Sequence, residues 1–375
     1  MNAFTALLVN GYHELNNKKL FWVTLLISLI VVLFYASIGF NDQGMFFFYG
    51  LLPIESEMFT QDSPLSTILY RGIFSSFIVG LWLAWVLVIL ALVAASPIFP
   101  DTMADGTIDL TLAKPIRRLT LFSFKYITGL LFVLLQVAVF CLGIFICMGW
   151  RIGEWNWIIF SAVPMTTLLF SYLYAVNVLI GVFTRSALAA LLLTLLFWFM
   201  IWILNTGAGI TETLRQQALV EMEQAEAVLD DQEQRLQDAE SLDEEDRAVF
   251  QAELDDARTD IDDARDFLRR VDYWYKPIRA VQTAFPKTSE SVGLVDRWLI
   301  RDDDISFGAI LTGNVEPTAE GGWREAGADD EEFLAQERTA EEYRSRSLFY
   351  IIGTSLIFEF IVLAIAAWRF IRRDF

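Results

Sequence analysis

Glu359 is the one clear ionisable residue that falls well inside a long apolar stretch of this sequence, between Leu348 and Phe370. A charge there is costly in hydrocarbon, so the carboxyl must face a protein interior or water, or be protonated. Three roles stay open for it: a hydrogen bond between helices, the lining of a pathway, or a place nearer the membrane edge than the stretch implies. Gln136 and Asn177 are weaker polar candidates of the same kind, which more often join helices than bind a ligand. Little else could do chemistry. His13 is the only histidine, and the only cysteines, Cys141 and Cys147, stand six apart in an apolar stretch, a spacing that favours packing over a disulfide or a metal. No Gly-x-x-x-x-Gly-Lys-Ser/Thr phosphate loop occurs and no nucleophile-base arrangement stands out, so neither catalysis nor a resident cofactor or metal is expected on this chain.

A second informative cluster runs from Asp101 to Arg118. Gly106 suits a turn or cap, Thr107 to Leu112 is a short amphipathic run, and Lys114-Pro115 leads to the basic pair Arg117-Arg118. The mixture is expected to form a short helix on one face of a membrane, with Ile108, Leu110 and Leu112 as its apolar surface. Asp105 and Asp109 would fix its register.

These residues are carried by a chain of 375 residues, 55% of them hydrophobic, with 31 Phe and 12 Trp. That is too apolar for an ordinary soluble domain. The apolar residues gather into six stretches: Leu20 to Phe40, Gly72 to Ile98, Leu121 to Trp150, Trp157 to Phe183, Ala187 to Leu204 and Leu348 to Phe370. Each is long enough to cross a hydrocarbon core of about 30 Å. Residues 1–19 read as an amphipathic interfacial helix ending in Lys18 and Lys19, and with no convincing cleavage site the first stretch is expected to stay in the mature protein. Trp150, Trp155 and Trp157 read as an interfacial aromatic belt.

The net charge of −19 belongs almost wholly to one insert, because Gly207 to Ser347 holds 16 Lys and Arg against 36 Asp and Glu. Such an insert would repel nucleic acid and anionic lipid. Ala218, Met222, Ala225, Leu229 and Leu236, with Gln232 in the missing place, follow a coiled-coil spacing, and Phe250, Leu254, Ala257, Ile261, Ala264, Leu268 and Val271 repeat it. Ser241 and Glu244 read as a capping box opening the second arm, so an antiparallel helical hairpin is expected over residues 211–272. From Tyr273 to Ser347 the pattern reads as a loosely structured return path, with an amphipathic piece from Val292 to Ile300 partly resting on the membrane surface.

The pattern Asp105-Gly106-Thr107-Ile108, then Leu110 and Leu112, then Lys114-Pro115-Ile116-Arg117-Arg118 and Lys125-Tyr126, resembles the segment after the second span of ABC-2-type permeases. The leading amphipathic helix and the basic end from Trp368 to Phe375 are similar to theirs as well. The resemblance covers about two thirds of the chain and omits the hairpin. Together with the six apolar stretches and the heptad spacing, it makes the expected fold an all-α membrane protein with six transmembrane helices, an amphipathic N-terminal helix and a helical-hairpin insert between spans five and six. It also implies that residues 99–120 carry a coupling helix docked on a separate cytoplasmic ATP-binding cassette ATPase, which would hold ATP and Mg, and that a second permease copy completes the transporter. The insert itself resembles that of the subgroup containing the nitrous-oxide-reductase maturation and gliding-type permeases. A different reading is a membrane scaffold or sensor that binds an extracytoplasmic protein through the acidic hairpin. Six spans are more than an anchor needs, and no output domain is evident.

Basic residues of short loops set orientation. With both termini cytoplasmic in a bacterial plasma membrane, ten of the twelve basic residues beyond the insert lie inside, leaving only Arg71 and Arg151 outside. A single cysteine at Gln234 is therefore expected to react with an impermeant reagent in intact cells and one at Arg373 only after membrane disruption. The reverse pattern would invert the topology.

Overall fold

The computed structural model describes residues 19–56, 58–61, 63–103, 117–238, 244–299, 305, 307–317, 323–326 and 331–372. It begins with α1 (Lys19–Ala36), followed by strands β1 (Gly39–Asn41), β2 (Gly44–Phe47) and β3 (Leu52–Glu55). Next come α2 (Pro64–Thr102), α3 (Arg118–Arg151), α4 (Trp157–Thr184), α5 (Ala187–Asp238) and α6 (Glu244–Ala284). Then follow α7 (Thr288–Leu299), α8 (Phe307–Thr312), strands β4 (Val315–Pro317) and β5 (Trp323–Glu325), α9 (Glu331–Ser345) and α10 (Phe349–Ile371). α2, α3, α4, α10 and the first part of α5 are long and apolar enough to cross a membrane, while α1 is a shorter apolar helix.

Three expectations are corrected at this level. The fold is mostly helical rather than all-α, because β1, β2 and β3 form an antiparallel sheet and β4 pairs with β5. The first helix ends at Ala36 instead of running to Phe40, since Gly39 and Phe40 join the sheet, where Gly44, the first residue of β2, has a φ of 141° that L side chains rarely adopt. α2, conversely, starts at Pro64, ahead of the expected Gly72, and contains a π-helical segment from Ile73 to Leu87.

Polar contacts sort the helix ends into two sides. On one, Arg71 grips Glu154 with two guanidinium nitrogens and Arg151 Nε donates to the Ala36 carbonyl at 2.7 Å. On the other, Arg118 Nη1 donates to the Ile371 carbonyl at 3.1 Å. Trp150, Trp155 and Trp157 are exposed on the Arg71 side. A single large core binds the helices together, reaching from Tyr35 through Leu87, Phe140 and Phe170 to Phe370.

α5 passes the expected insert boundary at Gly207 without a break and becomes one arm of a hairpin with α6. The arms are antiparallel: Arg215 meets Asp272 at 3.1 Å, Glu226 meets Arg265 at 3.4 Å and Glu233 meets Arg258 at 3.5 Å. Ala218, Leu254, Ala257, Ile261, Ala264 and Val271 are buried along the seam. The side chains of Leu236 and Phe250, and the Ser241 side of the capping box, lie outside the described residues.

The return path is not loose. α6 descends past exposed Tyr273 and Trp274, and its end turns back into α7 between the membrane helices. Phe285 in this turn packs 6.0 Å from Phe197 and 6.3 Å from Phe358. Phe197 lies ten residues into α5, about 15 Å along its axis, so the turn reaches the middle of the spanning layer. Irregular backbone at such depth survives only when protein satisfies its polar groups. Here Pro286 has no N–H to satisfy, the Lys287 amide donates to Ser355 Oγ at 3.0 Å, and Lys287 Nζ donates to Thr354 Oγ1 at 2.8 Å beneath the Tyr350 ring. Charge periodicity could not show this, because Lys287 looks like one more polar residue of the insert.

An ion-pair cluster ties the hairpin base to the body. Arg279 on α6 reaches Glu212 on α5 at 3.0 Å and Glu342 on α9 at 2.7 Å, while Arg346 holds Glu290 of α7 at 2.7 Å. Burial pushes the Glu212 carboxyl up. Burial also opposes ionisation of Glu342, but the hydrogen bond from Glu212 and the guanidinium of Arg279 outweigh it and bring that group down to about 2. Removing a cation from a buried cluster strands a carboxylate. Arg279→Ala is thus expected to cost on the order of 3 kcal/mol, the low end for a buried pair because the guanidinium is partly exposed. Arg258→Ala, on the exposed arm, should cost less than about 1 kcal/mol. Thermal unfolding of the two purified variants checks the contrast, and equal small shifts would remove the clamp.

Candidate functional site: an intramembrane carboxyl and the flanks of a coupling segment

Glu359 sits on α10 facing α3 and α4. Tyr126 Oη donates to its Oε1 at 2.6 Å and Ser171 Oγ to its Oε2 at 2.9 Å. The carboxyl therefore bridges three helices, and no cationic side chain pairs with it among the described residues. Tyr126 stacks on Tyr174 at 5.2 Å, and Tyr174 on Phe170 at 5.1 Å, making a rigid wall beside the carboxyl. Gly129 lets the wall close, since a Cβ there would lie 2.6 Å from the Tyr174 ring. Of the three open roles, the geometry matches a hydrogen bond between helices.

Gln136 and Asn177 do not join this cluster. Both are buried, on α3 and α4, yet the Gln136 amide and the Asn177 nitrogen make no hydrogen bond among the described residues. The expected cross-helix bonds for these three atoms are thus absent among the described residues, leaving polar groups unmatched within the body. Tyr126 and Ser171 carry the site that Glu359 announced. Only their approach in space reveals them, since single hydroxyls in apolar stretches are common.

The second expected site is described at its borders alone. Asp105, Gly106, Thr107, Ile108, Asp109, Leu110, Leu112, Lys114 and Pro115 lie outside the described residues, whereas Arg117 precedes α3 and Arg118 is its first residue. Both borders are firmly held. Phe99 at the end of α2 packs 5.1 Å from Phe122 of α3, and each touches Phe370 of α10, at 6.3 and 5.7 Å. With the Arg118 bond to Ile371, the segment leaves and rejoins the body where three membrane helices meet.

Residues 12–375 match the family described as ABC-2 family transporter protein. The chain belongs to the ABC-2 transporter family. No curated protein and no solved structure matches it. This ABC-2 chain is a multi-pass membrane permease, and permeases of the family lack ATPase activity and work with a partnering ATPase subunit. Within the permease, the Glu359 contact joins α10 to α3 and α4. Glu359→Gln keeps most of the hydrogen-bonding capacity and is expected to preserve assembly. Glu359→Leu removes both bonds to α10 and leaves the Tyr126 hydroxyl only the Ser171 carbonyl, at 3.1 Å, and the Ser171 hydroxyl only the Leu168 carbonyl, at 2.8 Å, so about 1 kcal/mol is expected to be lost for each bond. Size-exclusion profiles and thermal midpoints of both variants test this, and a Leu variant as stable as the parent would show the bond to be dispensable.

Proposed function

We propose that this chain is one of two permease halves that move a substrate across the bacterial plasma membrane, driven by two cytoplasmic ATPase subunits that bind ATP and Mg. α1, at about 27 Å, is just long enough to act as a sixth span beside the five longer ones. Both termini then face the cytoplasm and the hairpin stands outside; the amphipathic helix expected over residues 1–19 lies, but for Lys19, outside the described residues. The observation that carries the reading is the family match together with the joint of α2, α3 and α10 at the borders of residues 104–116. A segment so rooted would transmit movement of the ATPase to three membrane helices at once. Asp105 to Arg118 is the docking surface, with Ile108, Leu110 and Leu112 as anchors. Outside, the acidic arms suit a basic face on an extracytoplasmic protein, in keeping with the likeness to the maturation and gliding-type permeases.

Losing a central buried anchor of an interface costs on the order of 2 kcal/mol or more. Ile108→Asp and Leu112→Asp are expected to leave the permease inserted but to abolish co-purification of its ATPase or its transport-linked hydrolysis. Wild-type co-purification and hydrolysis in both variants would overturn the assignment of the coupling segment.

A further inference from the structure

Two adjoining cavities meet along α7. The upper, about 420 Å³, lies between α5, α7 and α9, with Glu290, Asp296, Arg297 and Arg344 in its wall. The lower, about 200 Å³, runs between α2 and α5 past Gly80, Ala84, Trp85 and Trp198. Trp202, Ser289, Gly293 and Asp296 border both, so the two form one groove. Its depth follows from the helices. Trp198 stands eleven residues into α5, about 16 Å along the axis and near the middle of the spanning layer. Arg344, at the other end, belongs to α9, beyond the start of α10. The groove thus runs from mid-membrane to the surface, apolar and aromatic below, where Trp85 and Trp198 stack at 4.6 Å, and charged above. Trp202, at the junction, is 40% exposed, so the groove is not sealed. Both π-helical segments border it, Ile73–Leu87 through Gly80, Ala84 and Trp85, and Phe349–Gly353 through Ile351. Wide turns of this kind gather at functional sites.

The charges in the wall are not equally engaged. Glu290 is held by Arg346 at 2.7 Å. Asp296 accepts a hydrogen bond from Ser75 through one oxygen only. Arg297 donates to the Arg346 carbonyl at 2.9 Å and forms no ion pair among the described residues. One carboxylate and one guanidinium, adjacent in sequence, are therefore left facing a slot whose floor suits a hydrocarbon chain. A purely anionic or purely cationic amphiphile would meet its own sign beside its partner. A headgroup bearing both signs meets neither unmatched.

We propose that the groove binds a zwitterionic phospholipid-type amphiphile, its ammonium toward Asp296, its phosphate toward Arg297 and an acyl chain against Trp85 and Trp198. This deepens the transport reading, on which it rests, by naming the substrate class. Binding itself is measured on the purified full chain without any ATPase, so the two can fail separately. Delipidated protein is titrated with phosphatidylethanolamine, phosphatidylglycerol and diacylglycerol of identical chains and read by native mass spectrometry. The expected result is phosphatidylethanolamine binding roughly tenfold tighter than phosphatidylglycerol, the factor that one charge-assisted hydrogen bond supplies, and tighter still than diacylglycerol, which lacks both charged groups. Asp296→Asn should erase the preference over phosphatidylglycerol. Gly293→Phe should weaken all three lipids, because a Cβ at Gly293 meets nothing within 4 Å and the ring can occupy the slot, while Gly293→Ala should bind as the parent does. Equal binding of the three lipids by the parent protein would overturn the proposal, as would an unchanged preference in Asp296→Asn, which decides the matter even where Gly293→Phe does not fold.

Discussion

Hydrocarbon offers no partner to a carboxyl, an ammonium or a backbone amide, and each of these is nonetheless present inside this bundle. Most of the architecture can be read as the answer. Two hydroxyls from different helices meet Glu359, and three oxygens, from Thr283, Thr354 and Ser355, meet the amide and ammonium of Lys287. Each answer joins elements that are distant in sequence. The polar groups therefore fix which helices are neighbours, while the much larger apolar surface, equally content against lipid, could not.

The same constraint explains why hairpin and membrane body are one unit rather than a domain on a tether. α5 is continuous from spanning segment to arm, and the base of the arms is held by Arg279 and Arg346 among Glu212, Glu290 and Glu342. Farther up, the arms keep only exposed ion pairs, which contribute little, and a thin seam of Ala, Leu, Ile and Val. Stiffness is thus concentrated where the insert meets the bundle. The turn at Phe285 extends that joint inward, wedging the return path between α5 and α10.

Length, hydropathy and heptad spacing were enough to find the membrane helices, the hairpin and Glu359, because each of those signals is local: a run of apolar residues, a repeat of seven, a lone acid in the wrong surroundings. The resemblance resting on Asp105 to Arg118 led to the ABC-2 family, to which the whole match over residues 12–375 assigns the chain. Local signals fail where a helix changes environment along its length. α6 reads as one arm of a solvated hairpin, yet its last turns enter the bundle, and Thr354 and Ser355, which meet Lys287 there, lie more than 60 residues away. The start of β1 is missed for a similar reason, since Gly39 and Phe40 pass for the end of a span.

The sequence by itself determined that the chain must live in a membrane and where its long apolar segments lie, because these follow from transfer energies summed over neighbouring residues. Only the tertiary structure decided that Tyr126 and Ser171 are the partners of Glu359, that the α6–α7 turn re-enters the bundle, and that Asp296 and Arg297 look into a groove floored by Trp85 and Trp198. Those outcomes depend on which surfaces meet, and a polar atom's partner is set by packing of helices far apart in the chain rather than by anything adjacent to it.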